Sequence, residues 1–212
     1  MQVSKGEISA KRYGMVIDLN RCVNCQSCVV ACRMSHGTPP GIFLTRVLYT
    51  ETGKYPKVRI RFYPVLCNHC ENAPCKDVCS TGAIHVESGI VLVDVEKCVG
   101  CGMCHEACPY NMITMLEPED LKKGYWGDGV LTPFEKEKYA KLKARTPMKC
   151  DFCIDRVKEG RKPACVQACP SGARVFGDLN DPNSEVSTLL SSKGGYQPHP
   201  EFNTNPSVYY IG

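Results

Sequence analysis

Cys98-Val-Gly-Cys101-Gly-Met-Cys104-His-Glu-Ala-Cys108-Pro109 carries four thiols in a single short stretch, two residues apart, two apart and then three apart. The same C-x2-C-x2-C-x3-C spacing recurs at Cys22, Cys25, Cys28 and Cys32. Two looser quartets complete the set. Cys67, Cys70, Cys75 and Cys79 open the middle gap to four residues, and Cys150, Cys153, Cys165 and Cys169 open it to eleven, with Pro170 following. All sixteen cysteines of the 212-residue chain belong to these groups. So high a cysteine content points to a bonded framework of disulfides, metal or clusters that supplements ordinary core packing.

The spacing selects among these frameworks. A C-x2-C-x2-C loop wraps three thiolates around one cubane, and a fourth cysteine three residues on projects away to ligate the neighbouring cluster, as in bacterial two-cluster ferredoxins. A disulfide framework requires no such repeated tight groups. Structural zinc uses C-x2-C pairs but needs only two of them per site, which leaves the third cysteine of each loop redundant. The sixteen thiols are therefore read as ligands of four [4Fe-4S] clusters, and four clusters in one small chain suggest a wire for electrons.

Charge and hydropathy exclude other classes. The 26 basic and 22 acidic side chains sum to +4, too small and too evenly spread for a nucleic-acid surface. Sixteen thiolates around four cores of about +2 each turn that sum to about −4. No run reaches the length of a membrane span, and the apolar Ile90 to Val95 is interrupted by Asp94, so the chain itself is expected to be soluble. Met1 to Tyr13 is polar, without an apolar signal core or twin arginine, so any export is expected to depend on a partner. No G-x-G-x-x-G, phosphate loop or nucleophile–base constellation appears, and no catalytic residue is assigned.

The chain repeats itself. An offset of 76 takes the first quartet onto the third and also matches Asp18 to Asp94, Val23 to Val99 and Ala31 to Ala107. An offset of 90 takes Cys75 and Cys79 onto Cys165 and Cys169, and Gly82 and Ala83 onto Gly172 and Ala173. An α+β fold of duplicated ferredoxin-like modules, with short strands and helices around the clusters, is the expected architecture. The spacing leaves open whether the first group pairs with the second and the third with the fourth, or the first with the fourth and the second with the third.

Several elements are legible. Tyr13 to Asp18 and Ile90 to Val95 read as strands entering cysteine loops, with short helices after Cys28 and Cys104. Leu44 to Thr50 and Lys57 to Val65 read as a hairpin turning at Glu51-Thr-Gly-Lys54. Residues 117–149 form a charged, cysteine-free insertion holding the only tryptophan, Trp126, and a helix-like stretch from Pro133 to Arg145. It is read as a solvated surface excursion, with partner docking through Trp126 as the alternative. Asn183 and Ser184 read as caps of a helix through Leu190. The tail over 191–212 is expected to be extended, with Val208 to Ile211 laid as a strand on a partner. His69 and His105 are expected beside clusters or at the surface, not as ligands. Lys149, Arg156 and Lys158 surround the fourth group, where positive charge raises a cluster's potential.

The four-group order and its gaps of two, four, two and eleven resemble the iron–sulfur (beta) subunit of the DMSO reductase family of molybdopterin oxidoreductases. The resemblance rests on Cys22-Val-Asn-Cys-Gln-Ser-Cys-Val-Val-Ala-Cys32, Cys67-Asn-His-Cys-Glu-Asn-Ala-Pro-Cys75, Cys98 through Tyr110, Cys150-Asp-Phe-Cys153, and Pro163-Ala-Cys-Val-Gln-Ala-Cys-Pro170. It departs from the pattern at Arg33 and Ser80, where a proline often follows the fourth cysteine.

The resemblance implies crossed pairing. Cluster 1 would take Cys22, Cys25, Cys28 and Cys169, and cluster 2 would take Cys32, Cys150, Cys153 and Cys165. Cluster 3 would take Cys67, Cys70, Cys75 and Cys108, and cluster 4 would take Cys79, Cys98, Cys101 and Cys104. Residues 1–60 with 150–190 would form one module, into which 61–116 is inserted as a second. The implied function is single-electron transfer to or from a large molybdopterin subunit carrying Mo or W, with cluster 1 nearest that subunit and cluster 4 at the far end. A membrane-anchor, cytochrome or other donor protein completes the implied complex; the periplasmic side of the cell envelope is the expected location, with the cytoplasm as the alternative. The alternatives are a small subunit of a formate dehydrogenase or hydrogenase complex, and a free-standing polyferredoxin.

Overall fold

A computed structural model describes residues 11–212; the opening decapeptide, including that part of the polar Met1 to Tyr13 segment, lies outside the described residues. The chain begins with β1 (Tyr13–Asp18), α1 (Ser27–His36), β2 (Thr45–Lys54), β3 (Lys57–Leu66), α2 (Pro74–Asp77), β4 (Ile84–Glu87), β5 (Ile90–Val93) and α3 (Met103–Glu106). It continues with β6 (Thr114–Met115), a 3-10 turn at Asp120–Lys122, β7 (Lys123–Gly124), β8 (Gly127–Asp128), α4 (Pro133–Tyr139) and β9 (Pro147–Met148). It closes with α5 (Ile154–Lys158), α6 (Ala164–Gln167), β10 (Arg174–Asp178), α7 (Glu185–Lys193), a 3-10 turn at Pro200–Phe202 and β11 (Val208–Ile211). The fold is α+β.

The central strand β1 pairs antiparallel with β10, Val16 opposite Val175, and parallel with β11, Val16 opposite Tyr209. Enclosure on both edges and both faces explains its nearly unbroken apolar sequence, and Met15, Val16 and Ile17 are all fully buried. Alternation then sorts its side chains. Val16 packs with Val175, Val186 and Ile211 under α7, while Met15 and Ile17 join the core that contains Cys28, Cys32, Cys67, Cys150 and Cys165. A second core gathers Cys70, Cys75, Cys104, Ile84, Val91 and Ile113 around the β4–β5 hairpin. Helix α1 packs on α6, and α2 packs on α3.

The structure corrects several expected boundaries. The β2–β3 hairpin turns at Tyr55-Pro56, not at Glu51 to Lys54, which remain in the ladder with Glu51 opposite Ile60 and Lys54 opposite Lys57. Proline has no N–H to give a ladder, so it belongs in the turn, whereas the β-branched Thr52 suits a strand. Helices α1 and α3 begin one residue before Cys28 and Cys104, not after them. Helix α4 stops at Tyr139 rather than Arg145, and Arg145 itself adopts a positive φ of 62°. The cap of α7 is Ser184, whose hydroxyl accepts the Ser187 N–H at 3.2 Å, and the helix runs on to Lys193.

The strand expected to lie on a partner lies on its own chain. Val208 to Ile211 fills the free edge of β1, and Val208 and Ile211 are 0% and 1% exposed. An unpaired apolar edge is costly, and the segment is long enough to close it. Residues 117–149 are likewise no mere solvated excursion. Thr132 and Glu135 form a capping box at the start of α4, and the Glu135 carboxylate also accepts the Tyr125 N–H at 2.8 Å. Tyr125 donates to the Thr38 carbonyl at 2.8 Å, and Lys138 donates to the Ser35 carbonyl at 3.0 Å, so the segment is fastened to the end of α1. Arg33 lies between the rings of Phe43 and Tyr125, 4.6 and 4.7 Å from their centres, and gives a use to the residue after Cys32.

Candidate cluster-binding site

Each short cysteine loop turns on left-handed backbone. Asn24 and Gln26 have φ of 55° and 62° in the first loop, and Gly100 and Gly102 have 73° and 76° in the third. These conformations curl the chain so that two thiols precede the helix and the third, Cys28 or Cys104, follows from its first turn. Gly82 and Gly172 also share positive φ, 65° and 60°, after Cys79 and Cys169.

All sixteen thiols are free. Cys67, Cys70, Cys75 and Cys108 line one cavity, closed by Val91, Tyr110 and Ile113. Cys79, Cys98, Cys101 and Cys104 line another, beside Ile84 and Val93. The charge of Cys169 acts on Cys25 and Cys28, and Cys22 also acts on Cys28. Cys32 acts on both Cys150 and Cys165, and Cys153 acts on Cys165. Three of the assemblies are themselves neighbours: Cys28 acts on Cys165, and Cys67 acts on Cys150.

The donor chemistry fits four-iron cubanes, which need convergent thiolates in a largely apolar lining. Backbone N–H groups point at the sulfurs: His69 to Cys67 at 3.5 Å, Phe152 to Cys150 at 3.4 Å, Ala164 to Cys153 at 3.5 Å and Ala173 to Cys169 at 3.3 Å. Burial raises the thiol of Cys70 to about 11 and those of Cys75 and Cys165 to about 12, and pushes that of Cys150 well above the usual range. Such thiols become thiolates only when a cation replaces their protons, as iron does. Cys25 goes the other way, lowered chiefly by its bond with the Ser27 hydroxyl.

Neither histidine inside a motif is placed as a ligand. His69 is fully buried, accepts the Val91 N–H at 3.1 Å and packs tilted against Phe152 with ring centres 3.7 Å apart, and burial lowers its pKa well below the ordinary value. His105 donates from Nδ1 to the Ile113 carbonyl at 2.6 Å. The histidine that matters more carries no motif. His36, at the end of α1, donates from Nδ1 to the Cys32 carbonyl at 3.1 Å and from Nε2 to Asp151 Oδ1 at 2.8 Å. Burial opposes its charge, but the bonds to Asp151, Cys153 and Cys32 prevail and raise its pKa far above the imidazole range. Asp151 in turn accepts the Cys153 N–H at 2.7 Å. His36 and Asp151 stand 115 residues apart in the chain, and the one local signal is the carboxylate of Asp151 between Cys150 and Cys153.

Comparison with known proteins agrees with this chemistry. A family model described as a 4Fe-4S dicluster domain matches residues 58–124 and 129–179, and one described as a 4Fe-4S binding domain matches residues 19–35. The chain is 39% identical to the iron–sulfur subunit of an arsenate respiratory reductase from Shewanella sp. (strain ANA-3), over 94% of this chain and 96% of that one. It is 40% identical to the iron–sulfur subunit of a putative dimethyl sulfoxide reductase from Halobacterium salinarum, over 94% and 78%. It is 37% identical to a tetrathionate reductase subunit from Salmonella typhimurium, over 95% and 72%. Among the described residues no helix is long and apolar enough to cross a membrane. A thiol framework suited to cubanes and these likenesses along nearly the whole length lead to one assignment: the chain belongs to the electron-transferring, [4Fe-4S]-binding iron–sulfur (beta) subunits of the DMSO reductase family of molybdopterin oxidoreductases.

Proposed function

We propose that the chain carries four [4Fe-4S] clusters in two duplicated ferredoxin-like modules, residues 1–60 with 150–190 and residues 61–116. Through them it passes single electrons to or from a large molybdopterin catalytic subunit. One observation carries the reading: the last cysteine of each group faces the other group of its pair. Cys108 lines the cavity of Cys67, Cys70 and Cys75, and Cys79 lines that of Cys98, Cys101 and Cys104. Cys169 acts on the first loop, and Cys32 acts on the thiols of the fourth group. These placements support the ligand sets Cys22, Cys25, Cys28 and Cys169; Cys32, Cys150, Cys153 and Cys165; Cys67, Cys70, Cys75 and Cys108; and Cys79, Cys98, Cys101 and Cys104.

The matching positive-φ positions at Asn24, Gln26, Gly100 and Gly102 support duplication, as do those at Gly82 and Gly172. The proximities of Cys28 to Cys165 and of Cys150 to Cys67 support a linear order, and the shared core of Cys70, Cys75 and Cys104 extends it to the fourth site. Bound clusters supply one-electron redox chemistry, and the chain's own residues hold them, exclude water and tune their charge. Around the first loop Val23, Val30 and Met34 are exposed, with Trp126 79% exposed nearby across the groove it shares with α1. This apolar surface beside Cys25 suits a subunit interface. The relatives are named for reductases of arsenate, dimethyl sulfoxide and tetrathionate, and the substrate chemistry here belongs to the partner.

Replacement of Cys169 by Ser tests the pairing. Paramagnetic resonance spectra of the reduced complex should show the first-loop cluster perturbed and the cluster of Cys150 and Cys153 intact; the reverse result contradicts the crossed sets.

A further inference from the structure

Arg174, the first residue of β10, is only 2% exposed. Its guanidinium donates to the Thr45 hydroxyl at 2.9 Å and touches the Met15 sulfur at 4.0 Å. Among the described residues no carboxylate forms a salt bridge with it. A buried charge without a countercharge is strongly disfavoured, so an anion must stand near it. Tyr210 is not that anion, because burial pushes its hydroxyl up to about 12 and leaves it neutral. The groups that oppose the cost of burial are Cys165, Cys28 and Cys150. Cys28 belongs to one proposed ligand set, and Cys165 and Cys150 belong to the next.

Lys149 repeats the arrangement one step along. It is 6% exposed and donates to the carbonyls of Val91 and of Cys150, the latter at 2.7 Å. It too forms no salt bridge among the described residues, since Asp151, whose charge it feels, is engaged by His36. Its charge acts on Cys75 of the third ligand set while its nitrogen rests on the backbone of Cys150, of the second. Arg174 and Lys149 are the buried lysine and arginine side chains of the described residues, and each sits where two cysteine quartets meet.

We propose that Arg174 and Lys149 are internal counter-cations at successive junctions of the wire, Arg174 between clusters 1 and 2 and Lys149 between clusters 2 and 3. This rests on the four-cluster ligand sets given above. Each fixed positive charge offsets repulsion between two adjacent anionic clusters and favours the electron on either, raising both potentials. Cluster 4, held by Cys79, Cys98, Cys101 and Cys104, has no buried cation of this kind among the described residues. Both are potential-setting residues, not ligands.

The test uses the complex as purified, with Arg174→Gln, Arg174→Lys and Lys149→Met. Iron and sulfide per chain are measured first, then the midpoint of each cluster by redox titration followed by paramagnetic resonance. Arg174→Gln should weaken electron affinity at clusters 1 and 2 at least tenfold, ~59 mV for a one-electron couple, with cluster 4 unmoved. Lys149→Met should do the same at clusters 2 and 3. Arg174→Lys, which keeps the charge and changes the shape, should restore most of the shift. If Arg174→Gln loses clusters that Arg174→Lys retains, the charge is again shown to be the requirement. Full iron with unmoved midpoints in Arg174→Gln overturns the proposal, as does loss of clusters in both Arg174 variants. An iron content short of four clusters in the unmodified complex counts instead against the ligand sets.

Discussion

His36 Nε2 donates to Asp151 Oδ1 at 2.8 Å, joining the helix that bears Cys32 to the loop between Cys150 and Cys153. These three cysteines belong to one proposed ligand set, so the bond holds two distant parts of one site in register. Replacing His36 by Ala should remove about 1.5–3 kcal/mol of charge-assisted bonding, reduced by partial exposure of Asp151. The expected result is faster loss of cluster 2 to oxygen, read by the decay of its spectrum, with cluster 4 unaffected. Equal decay of all clusters would show that the pair serves general stability only.

Glu135 fastens the 117–149 segment through its bonds to Tyr125 and Thr132. Burial disfavours its charge, yet the Tyr125 and Thr132 N–H groups and the Thr132 hydroxyl outweigh it and hold the carboxyl below its usual value. A carboxyl depressed on folding adds stability above its unfolded pKa, about 4.3, and that contribution is lost as pH falls through the lower folded value. Hydrogen exchange of α4 should therefore quicken on acidification below about pH 4, and Glu135→Gln should remove that pH dependence. Thr132→Ala should cost about 1 kcal/mol locally. A pH-dependent α4 in Glu135→Gln would assign the effect to another group.

Ile211 is 1% exposed and packs with Val16, Val175 and Val186. Truncation to Ala removes buried methylene and methyl groups and should destabilise the chain by about 2–5 kcal/mol. Thermal melting of the purified complex measures this. A variant that melts normally but loses its partner subunit would return β11 to the interface role expected from sequence.

Cysteines are part of both of these cores, and Arg174 and Lys149 are buried without a salt bridge among the described residues. Cluster binding and folding are therefore expected to be coupled. Anaerobic removal of iron by a chelator should abolish near-ultraviolet circular dichroism and the cooperative melt together. An iron-free chain that melts at the temperature of the loaded one would contradict the coupling.

The parts legible in sequence were those encoded by short spacing. The cysteine quartets, β1, the Ser184 cap and the Pro133 start of α4 each depend on residues a few positions apart. The parts that were not legible depend on contacts made across the chain. Nothing local marks Arg174, whose partners Thr45, Cys28 and Cys150 come from three other segments. The β11 strand was assigned to a partner because its pairing edge on β1 lies about two hundred residues away in the chain. The hairpin turn was misplaced because Gly53 signals a turn as strongly as Pro56 does, and only the ladder register, Gly53 opposite Val58, separates them.

Everything else depends on four cubanes being present, and their inorganic content measures that directly. Anaerobically purified complex should contain about sixteen iron and about sixteen acid-labile sulfide per chain of this subunit, after subtraction of the partner's own content. Zinc in place of iron, or thiols linked to one another with no labile sulfide, would contradict the account.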